Sequence, residues 1–300
     1  MTRAWLNRPE GGNAFALRLI MGIGLGLGRG IARLVLLPIT VYFLIRRGPE
    51  RRASREFLAQ VLGRPPTLLE IARHFHTFAG VTLDRVFLLA GRLHLFDIRV
   101  QGLEELHRAL DGGQGVLLLG AHVGSFDALR VLSLERPDVE VRVVLDVGHS
   151  PVLSSILENL NPKMAASIIN PRQGSVAVVL EIGAALERGA VVTMLADRSR
   201  PGNEDVSVTF LGRQAEIPLS PWQIASVLRV PVVLCVGLFR GGNRYDLHFE
   251  VLEEKLDIAR DQRKALLGRA AQNFAARLEH YVRLAPYNWF NFYDFWKADR

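Results

Sequence analysis

The chain predicts an α/β fold, a mixed and largely parallel sheet flanked by helices, preceded by a membrane-interacting helical region at the N-terminus. Three observations predict it. From residue 95 onward, short apolar runs alternate with stretches of helical length, the pattern of strands joined by helical crossovers. Before that, residues 15–45 read as an amphipathic helix and residues 53–94 as helix broken at Pro65-Pro66. The 300 residues are 49% apolar and 22% charged, with no low-complexity tract and no fixed repeat, so a large core can be buried. The natural division is therefore residues 1–94, an amphipathic anchor and helical region, and residues 95–300, an α/β domain with an aromatic tail.

The N-terminal region opens with Phe15 to Ile45, "FALRLIMGIGLGLGRGIARLVLLPITVYFLI", in which only Arg18, Arg29 and Arg33 are charged. Its uncharged stretches are shorter than the roughly 18 residues of a clear spanning helix. At about 3.6 residues per turn the three arginines make one basic stripe on an apolar helix. That pattern predicts a membrane-interacting segment, lying on the bilayer or crossing it at a tilt with snorkelling arginines; a buried helix is the alternative. Arg46, Arg47, Arg51, Arg52 and Arg55 follow, a cluster that the positive-inside rule puts on the cytoplasmic face. A signal peptide fits poorly, for want of a small-residue cleavage site.

"GIGLGLGRG" never gives the G-x-G-x-x-G spacing of a dinucleotide loop, and no strand precedes it. Its glycines four apart, Gly22/Gly26 and Gly24/Gly28, suit close helix packing instead. Helical patterns continue over 53–94, with a break at Pro65-Pro66 and Thr67 as N-cap. His74 and His76 stand two apart, so on a helix they face different sides and make a poor metal pair.

After "LFDIRVQG", seven runs read as strands: "GVLLLGA", "VEVRVVLD", "ASIIN", "AVVTMLAD", "VSVTFLG", "VPVVLCVGL" and "YDLHFEV". Helical patterns fall at 102–110, about 124–134, 150–160, 174–188, 219–229 and 257–284. In sheets of this kind, ligands bind beyond the carboxyl ends of the strands.

That rule draws attention to "LLLGAHVGSFDALR", residues 117–130. His122 is the first residue past a strand's carboxyl end, and Asp127 lies in the first turns of the next helix, with Ser125 as its cap. The Asp127 carboxylate can accept the His122 Nδ1 proton, fix the tautomer and balance the imidazolium, leaving Nε2 to deprotonate a substrate hydroxyl. A histidine satisfied in the core beside an unrelated helix-start aspartate is the plainer alternative. No protein nucleophile is needed, so the lack of G-x-S-x-G is no obstacle.

H-x₄-D on a strand, turn and helix resembles block I of the glycerolipid and lysophospholipid acyltransferases, and the wider chain resembles the branch typified by bacterial lipid A secondary acyltransferases. The order of features is similar to that branch from about residue 10 to 290: an amphipathic anchor, a helical region, block I, the strand "LERGAVVTMLADRS", the segment "VTFLGRQAEIP" and the block "VLRVPVVLC". The resemblance implies a glycerolipid acyltransferase-like fold at the cytoplasmic face of a bacterial inner membrane. It further implies O-acyl transfer to a lipid or glycolipid hydroxyl from an acyl thioester, carried by acyl carrier protein or coenzyme A, with no metal and no other cofactor. His122 is then the general base, Asp127 its partner, and backbone N–H groups near Gly124 the oxyanion site.

Departures from the branch bear on the acceptor. Asp127 stands where its members usually carry Glu, and Arg198 where they usually carry Gln. Block II is not evident in "GHSPVLSSILENLNPK", and the ending "APYNWFNFYDFW" differs from theirs. The last feature and Asp127 look more like the acyltransferases of aryl polyene pigment clusters.

Asp197 and Arg198 end another strand and predict either acceptor or phosphate binding or a mutual surface pair. Arg213 predicts a phosphate contact, its alternative being a solvated turn arginine. Ser125 is a cap rather than a nucleophile. His149 has no readable partner, and His94, His107, His248 and His280 form no constellation. Cys235 is the only cysteine, which excludes an intramolecular disulfide and a multi-cysteine metal site.

The net charge of +7, mostly arginine, suits anionic partners. The tail "YNWFNFYDFW" has seven aromatics in ten residues and no basic one, which argues for a membrane interface over nucleic acid. Salt-sensitive binding to DNA or RNA would reverse that reading. A third alternative is a membrane-bound binding protein without chemistry, against which stands the presence of both His122 and Asp127.

Overall fold

The computed structural model describes residues 28–131, 136, 138–146, 160–199, 202–256 and 262–296, together with Gly22, Gly24 and Gly26. Arg18, His149 and the helical pattern at 150–160, apart from its last residue, lie outside the described residues.

Seven strands form one sheet: β1 (Asp97–Gln101), β2 (Val116–Gly120), β3 (Val141–Val144), β4 (Ile168–Ile169), β5 (Val191–Leu195), β8 (Val232–Gly241) and β9 (Arg244–Glu253). Their spatial order is β1-β9-β8-β2-β5-β3-β4, and every neighbouring pair is parallel except β8 with β9. The sheet is mixed and mostly parallel, flanked by helices, as the alternating pattern predicts. The β8–β9 hairpin supplies the antiparallel pair, and the short β1, unpredicted as a strand, adds to its outer edge.

β2 is buried along its whole length because both faces of the sheet are covered. Leu117 and Leu119 point into one layer with Phe57, Ile71, Ile182, Trp222 and Phe274; Val116 and Leu118 point into the other with Leu106 and Cys235. A strand with alternate residues in two cores reads as a continuous apolar run.

"VSVTFLG" is a strand outside this sheet. β6 (Asp205–Phe210) pairs antiparallel with β7 (Arg213–Pro218), and their two-residue turn places Leu211 and Gly212 at φ 51° and 75°. Sequence reading did not separate β7 as a strand, because "RQAEIP" carries charges on its solvent face.

Eight α-helices are described: α1 (Arg29–Arg46), α2 (Gly48–Leu62), α3 (Leu68–Leu89), α4 (Leu103–Asp111), α5 (Pro162–Ala166), α6 (Ser175–Glu187), α7 (Ser220–Leu228) and α8 (Arg263–Leu284). Thr67 caps α3 in a capping box: its hydroxyl accepts from the Glu70 N–H, and its own N–H donates to Glu70. The helical pattern expected after Ser125 is a short 3₁₀ turn, Phe126–Val131, over the residues described there.

The N-terminal arginine stripe is turned the other way from the expectation. Arg29 donates from Nε and Nη2 to the two oxygens of Asp84, at 2.7 and 2.8 Å, and Arg33 donates to the same carboxylate at 2.8 Å. Asp84, on α3, is fully buried and also accepts from the Tyr245 hydroxyl. Guanidinium groups on this face pin α1 to the protein, and its outer face carries Ile31, Leu34, Leu37, Val41 and Ile45, each exposed. Gly24 lies against the Phe87 ring, as close packing requires; among the described residues nothing comes within 4 Å of a Cβ placed on Gly22, Gly26 or Gly28. No described helix is long and apolar enough to cross a membrane.

Candidate active site

The site forms where β2 and β5 end side by side, Gly120 level with Leu195. His122 follows β2, and Asp197 and Arg198 follow β5. Two glycines shape the crossing of residues 122–125 over β8. A Cβ on Gly124, whose φ is 58°, would sit 2.0 Å from the Gly237 carbonyl oxygen, and one on Gly237 would sit 2.3 Å from that of Ser125. The backbones touch, so neither position tolerates a side chain.

The carboxylate that holds His122 is Asp197, not Asp127. Asp197 Oδ1 accepts from the His122 imidazole Nδ1 at 2.8 Å, and Oδ2 accepts from the His122 backbone N–H at 3.0 Å. Asp197 is fully buried, whereas the His122 side chain is 27% exposed and lines a cavity. Asp127, five residues after His122, accepts instead from Arg85 Nε of α3 at 2.6 Å. In the 3₁₀ turn its carboxylate is claimed by Arg85. The predicted pairing fails for that reason, while the aspartate at the end of the second strand supplies the partner.

Asp197 has a third donor. Asn291, 2% exposed in the C-terminal segment, donates from Nδ2 to Asp197 Oδ2 at 2.8 Å, and its Oδ1 accepts from Arg198 Nε at 2.5 Å. Arg198 Nη2 also donates to the Phe290 carbonyl. Arg198 is thus part of the site and not a surface partner of Asp197. Asn291 escaped sequence reading because two asparagines among seven aromatics carry no spacing signal.

Electrostatics follow from these contacts. Burial pushes the His122 pKa down, the Arg198 and Arg85 charges push the same way, and Asp197 opposes them. Burial alone would raise the Asp197 pKa, but His122, Arg198 and the Asn291 amide outweigh it and hold the carboxyl at about 2. Near neutrality the imidazole is neutral with its proton on Nδ1, the nitrogen facing an ionised carboxylate. Nε2 carries the lone pair.

Around Gly124, where the sequence suggests an oxyanion site, the backbone N–H groups of residues 123–125 are engaged within the protein. The Gly124 N–H donates to the Asn288 carbonyl at 2.8 Å, that of Ser125 to Gly237 at 2.7 Å, and that of Val123 to Ala121. Nor does Ser125 cap the turn: its hydroxyl is buried with no hydrogen-bond partner among the described residues.

The cavity has a volume of about 600 Å³. Its lining brings together His122, Arg85, Asp127 and Arg198; the rest is mostly apolar, with Val144, Val178, Met194, Ile224 and Val227, but includes Asp146 and Glu204. Arg213 is not part of its lining. Its guanidinium lies 4.8 Å from the centre of the Trp296 ring and bonds to Glu56 of α2, an ion pair and a cation–π contact. Among the described residues, no cluster of three or more His, Cys, Asp or Glu side chains converges as a metal site would require.

An α/β sheet with an imidazole–carboxylate pair beyond its strand ends, opening on a largely apolar chamber, is the layout of an enzyme acting on an apolar chain. A sequence model of the bacterial lipid A biosynthesis acyltransferase family matches residues 81–298, nearly three quarters of the protein, and the chain belongs to that family. Membership makes it an acyltransferase and implies acyl transfer to a lipid acceptor. No curated protein sequence matches the chain.

Proposed function

We propose that the protein transfers an acyl group from a thioester donor, acyl carrier protein or coenzyme A, to a hydroxyl of a lipid or glycolipid. His122 is the general base and Asp197 its orienting partner. Nε2 takes the acceptor hydroxyl proton as the oxygen attacks the thioester carbonyl. The C–O bond forms, the C–S bond breaks, and the leaving sulfur takes the proton back from Nε2. Asp197 stays ionised and balances the transient imidazolium. Arg198 and Arg85, the cations at the head of the chamber, meet the negative charge that develops on the carbonyl oxygen, and the apolar walls receive the acyl chain. Asp127 serves by holding Arg85.

The observation that carries this reading is the His122–Asp197 bond at the head of an apolar chamber. His122→Ala tests it. General-base catalysis contributes about 10²–10⁴-fold, so acyl transfer from a thioester should fall by at least that much in a folded variant. Near-normal turnover in His122→Ala would overturn the mechanism. The acceptor class follows from competing the two candidates, a lipid A precursor and an aryl polyene lipid; Asp127 and the aromatic ending favour the second.

The enzyme works at the cytoplasmic face of the inner membrane, held by the exposed apolar face of α1 and the neighbouring Arg46, Arg51, Arg52 and Arg55. Leu34→Glu combined with Leu37→Glu should abolish flotation with anionic vesicles. Unchanged flotation would assign the anchor elsewhere.

A further inference from the structure

The last described stretch of the chain is a strap across the site. After α8 the chain passes through the 3₁₀ turn Pro286–Asn288 and runs beside residues 122–124. The Gly124 N–H donates to the Asn288 carbonyl and the Phe290 N–H to the His122 carbonyl, each at 2.8 Å. Asn288 is pinned to β8, its Oδ1 accepting from the Phe239 N–H at 2.7 Å. Outward of these bonds, Trp289, Phe290, Phe292 and Phe295 pack against Phe57, His74, Phe75 and Phe210. His74 adds a polar tie, one ring nitrogen meeting Ser54 and the other donating to the Trp289 carbonyl. The aromatic residues thus anchor a segment from which Asn291 reaches the site.

We propose that Asn291 is a positioning residue, whose amide keeps Asp197 and Arg198 apart and aims the Asp197 carboxylate at His122. The inference rests on the reading of His122 as general base.

The chemistry of the three groups fixes the amide's orientation. Arg198 can only donate and an ionised Asp197 can only accept, so the amide must present its oxygen to the first and its nitrogen to the second. Both bonds are made and Asn291 is buried. Asp197 and Arg198 are adjacent in sequence and opposite in charge, yet their side chains do not bond to each other. Were they to pair directly, the guanidinium would draw the carboxylate away from the imidazole. With the amide between them, both Asp197 oxygens bond to His122, and Arg198 is held at the chamber. No other side chain of similar size offers one donor and one acceptor in this geometry. The charged groups around His122 are Asp197 and Arg198 after β5, Arg85 on α3, and Asp127 through Arg85; Tyr293 stands beside Arg198.

The test uses the full-length protein with three substitutions. Asn291→Asp keeps size and shape but sets a second carboxylate against Asp197 and neutralises Arg198. Both effects favour the imidazolium, so the acidic limb of the pH–rate profile should move up by about one pH unit. Asn291→Ala lets Arg198 collapse onto Asp197; kcat should fall about ten- to a hundredfold, with the donor KM within about twofold. Phe292→Leu loosens the strap's packing without touching the polar chain and should lower Tm while leaving the acidic limb in place. ¹⁵N spectra of the His122 ring should show Nδ1–H in the native protein and a raised share of Nε2–H in Asn291→Ala. That readout needs no turnover, so it judges the positioning role even if His122→Ala refutes the catalytic one. Native tautomer and an unmoved acidic limb in folded Asn291 variants would overturn the proposal. Should Asn291→Asp fail to fold, the spectra of Asn291→Ala decide.

Discussion

Asp197→Asn is the sharpest perturbation of the site, and its consequence follows from counting hydrogen-bond donors. The native carboxylate accepts three: the His122 Nδ1–H at one oxygen, and the His122 backbone N–H and the Asn291 amide at the other. An asparagine offers one oxygen and one NH₂ group. Keeping its oxygen on the two fixed donors turns its NH₂ toward Nδ1, which must then become an acceptor. The imidazole proton moves to Nε2, where the base should be. The opposite flip satisfies Nδ1 but sets the NH₂ against two buried donors, at a cost of about 1–3 kcal/mol for each unmet group. The first arrangement therefore dominates, and the base is in the wrong tautomer.

The expected loss is that of general-base catalysis, about 10²–10⁴-fold in kcat, or about 3–5 kcal/mol of transition-state stabilisation. Combined with His122→Ala the losses should not multiply, since the two residues act as one unit. Asp127→Asn supplies the contrast. It weakens only the hold on the half-exposed Arg85, so its loss should be smaller than that of Asp197→Asn by an order of magnitude or more. The assay is single-turnover acyl transfer from a thioester, with Tm measured for each variant. A severe Asp127→Asn beside a mild Asp197→Asn would refute the assignment of partners.

Three further outcomes follow. Arg213→Ala should leave both KM values unchanged and reduce stability by about 1 kcal/mol or less, because its pair with Glu56 is partly exposed and lies away from the chamber; a tenfold rise in either KM would restore the phosphate role. Asp84→Leu leaves Arg29 and Arg33 facing the interior without a counter-charge, and should destabilise the fold by about 3–5 kcal/mol in denaturant titration, a loss that Asp84→Glu should partly recover. His74 is buried and titrates at about 4 instead of 6.5, so its neutral form stabilises the fold: the contribution is full above pH 6.5 and is lost as pH falls toward 4, about 3 kcal/mol in all. Comparison with His74→Gln should show a flatter dependence of stability on pH across that window; identical slopes would remove His74 from the acid response.

The fold was legible because burial in a parallel sheet leaves a plain mark. β2 is covered on both faces and reads as an unbroken apolar run, β5 is apolar but for Thr193, and the residues at their carboxyl ends, His122, Asp197 and Arg198, stood out as site candidates. Which carboxylate meets the imidazole was not legible. H-x₄-D sets a sequence distance, but the contact depends on how tightly the following turn winds and on which cation claims Asp127. The adjacency of β2 and β5, which puts Asp197 beside His122, is a property of strand order, and strands 75 residues apart announce no order in the sequence. Asn291 was hidden for a related reason. Its role depends on a strap returning from the far end of α8, and its aromatic neighbours have compositions equally suited to a membrane surface and to a core.

The arginines of α1 show how one periodicity can serve opposite arrangements. A helical stripe of Arg on an apolar helix is read as a wet face opposite a lipid face, because a guanidinium is costly to bury alone. That inference assumes no buried acid waits on the neighbouring helix. Here Asp84 does, and Arg29 and Arg33 also lie about 5 Å from the Phe96 and Phe239 ring centres, so charge and stem are both accommodated inside. The apolar residues are displaced outward, and the helix offers Leu34 and Leu37 to its surroundings while its arginines grip α3. The periodicity sets apart two faces but does not say which is inside. A membrane contact of the kind proposed would then desolvate no guanidinium, and the next residue after the gripped Asp84 is Arg85, which lines the chamber beside His122.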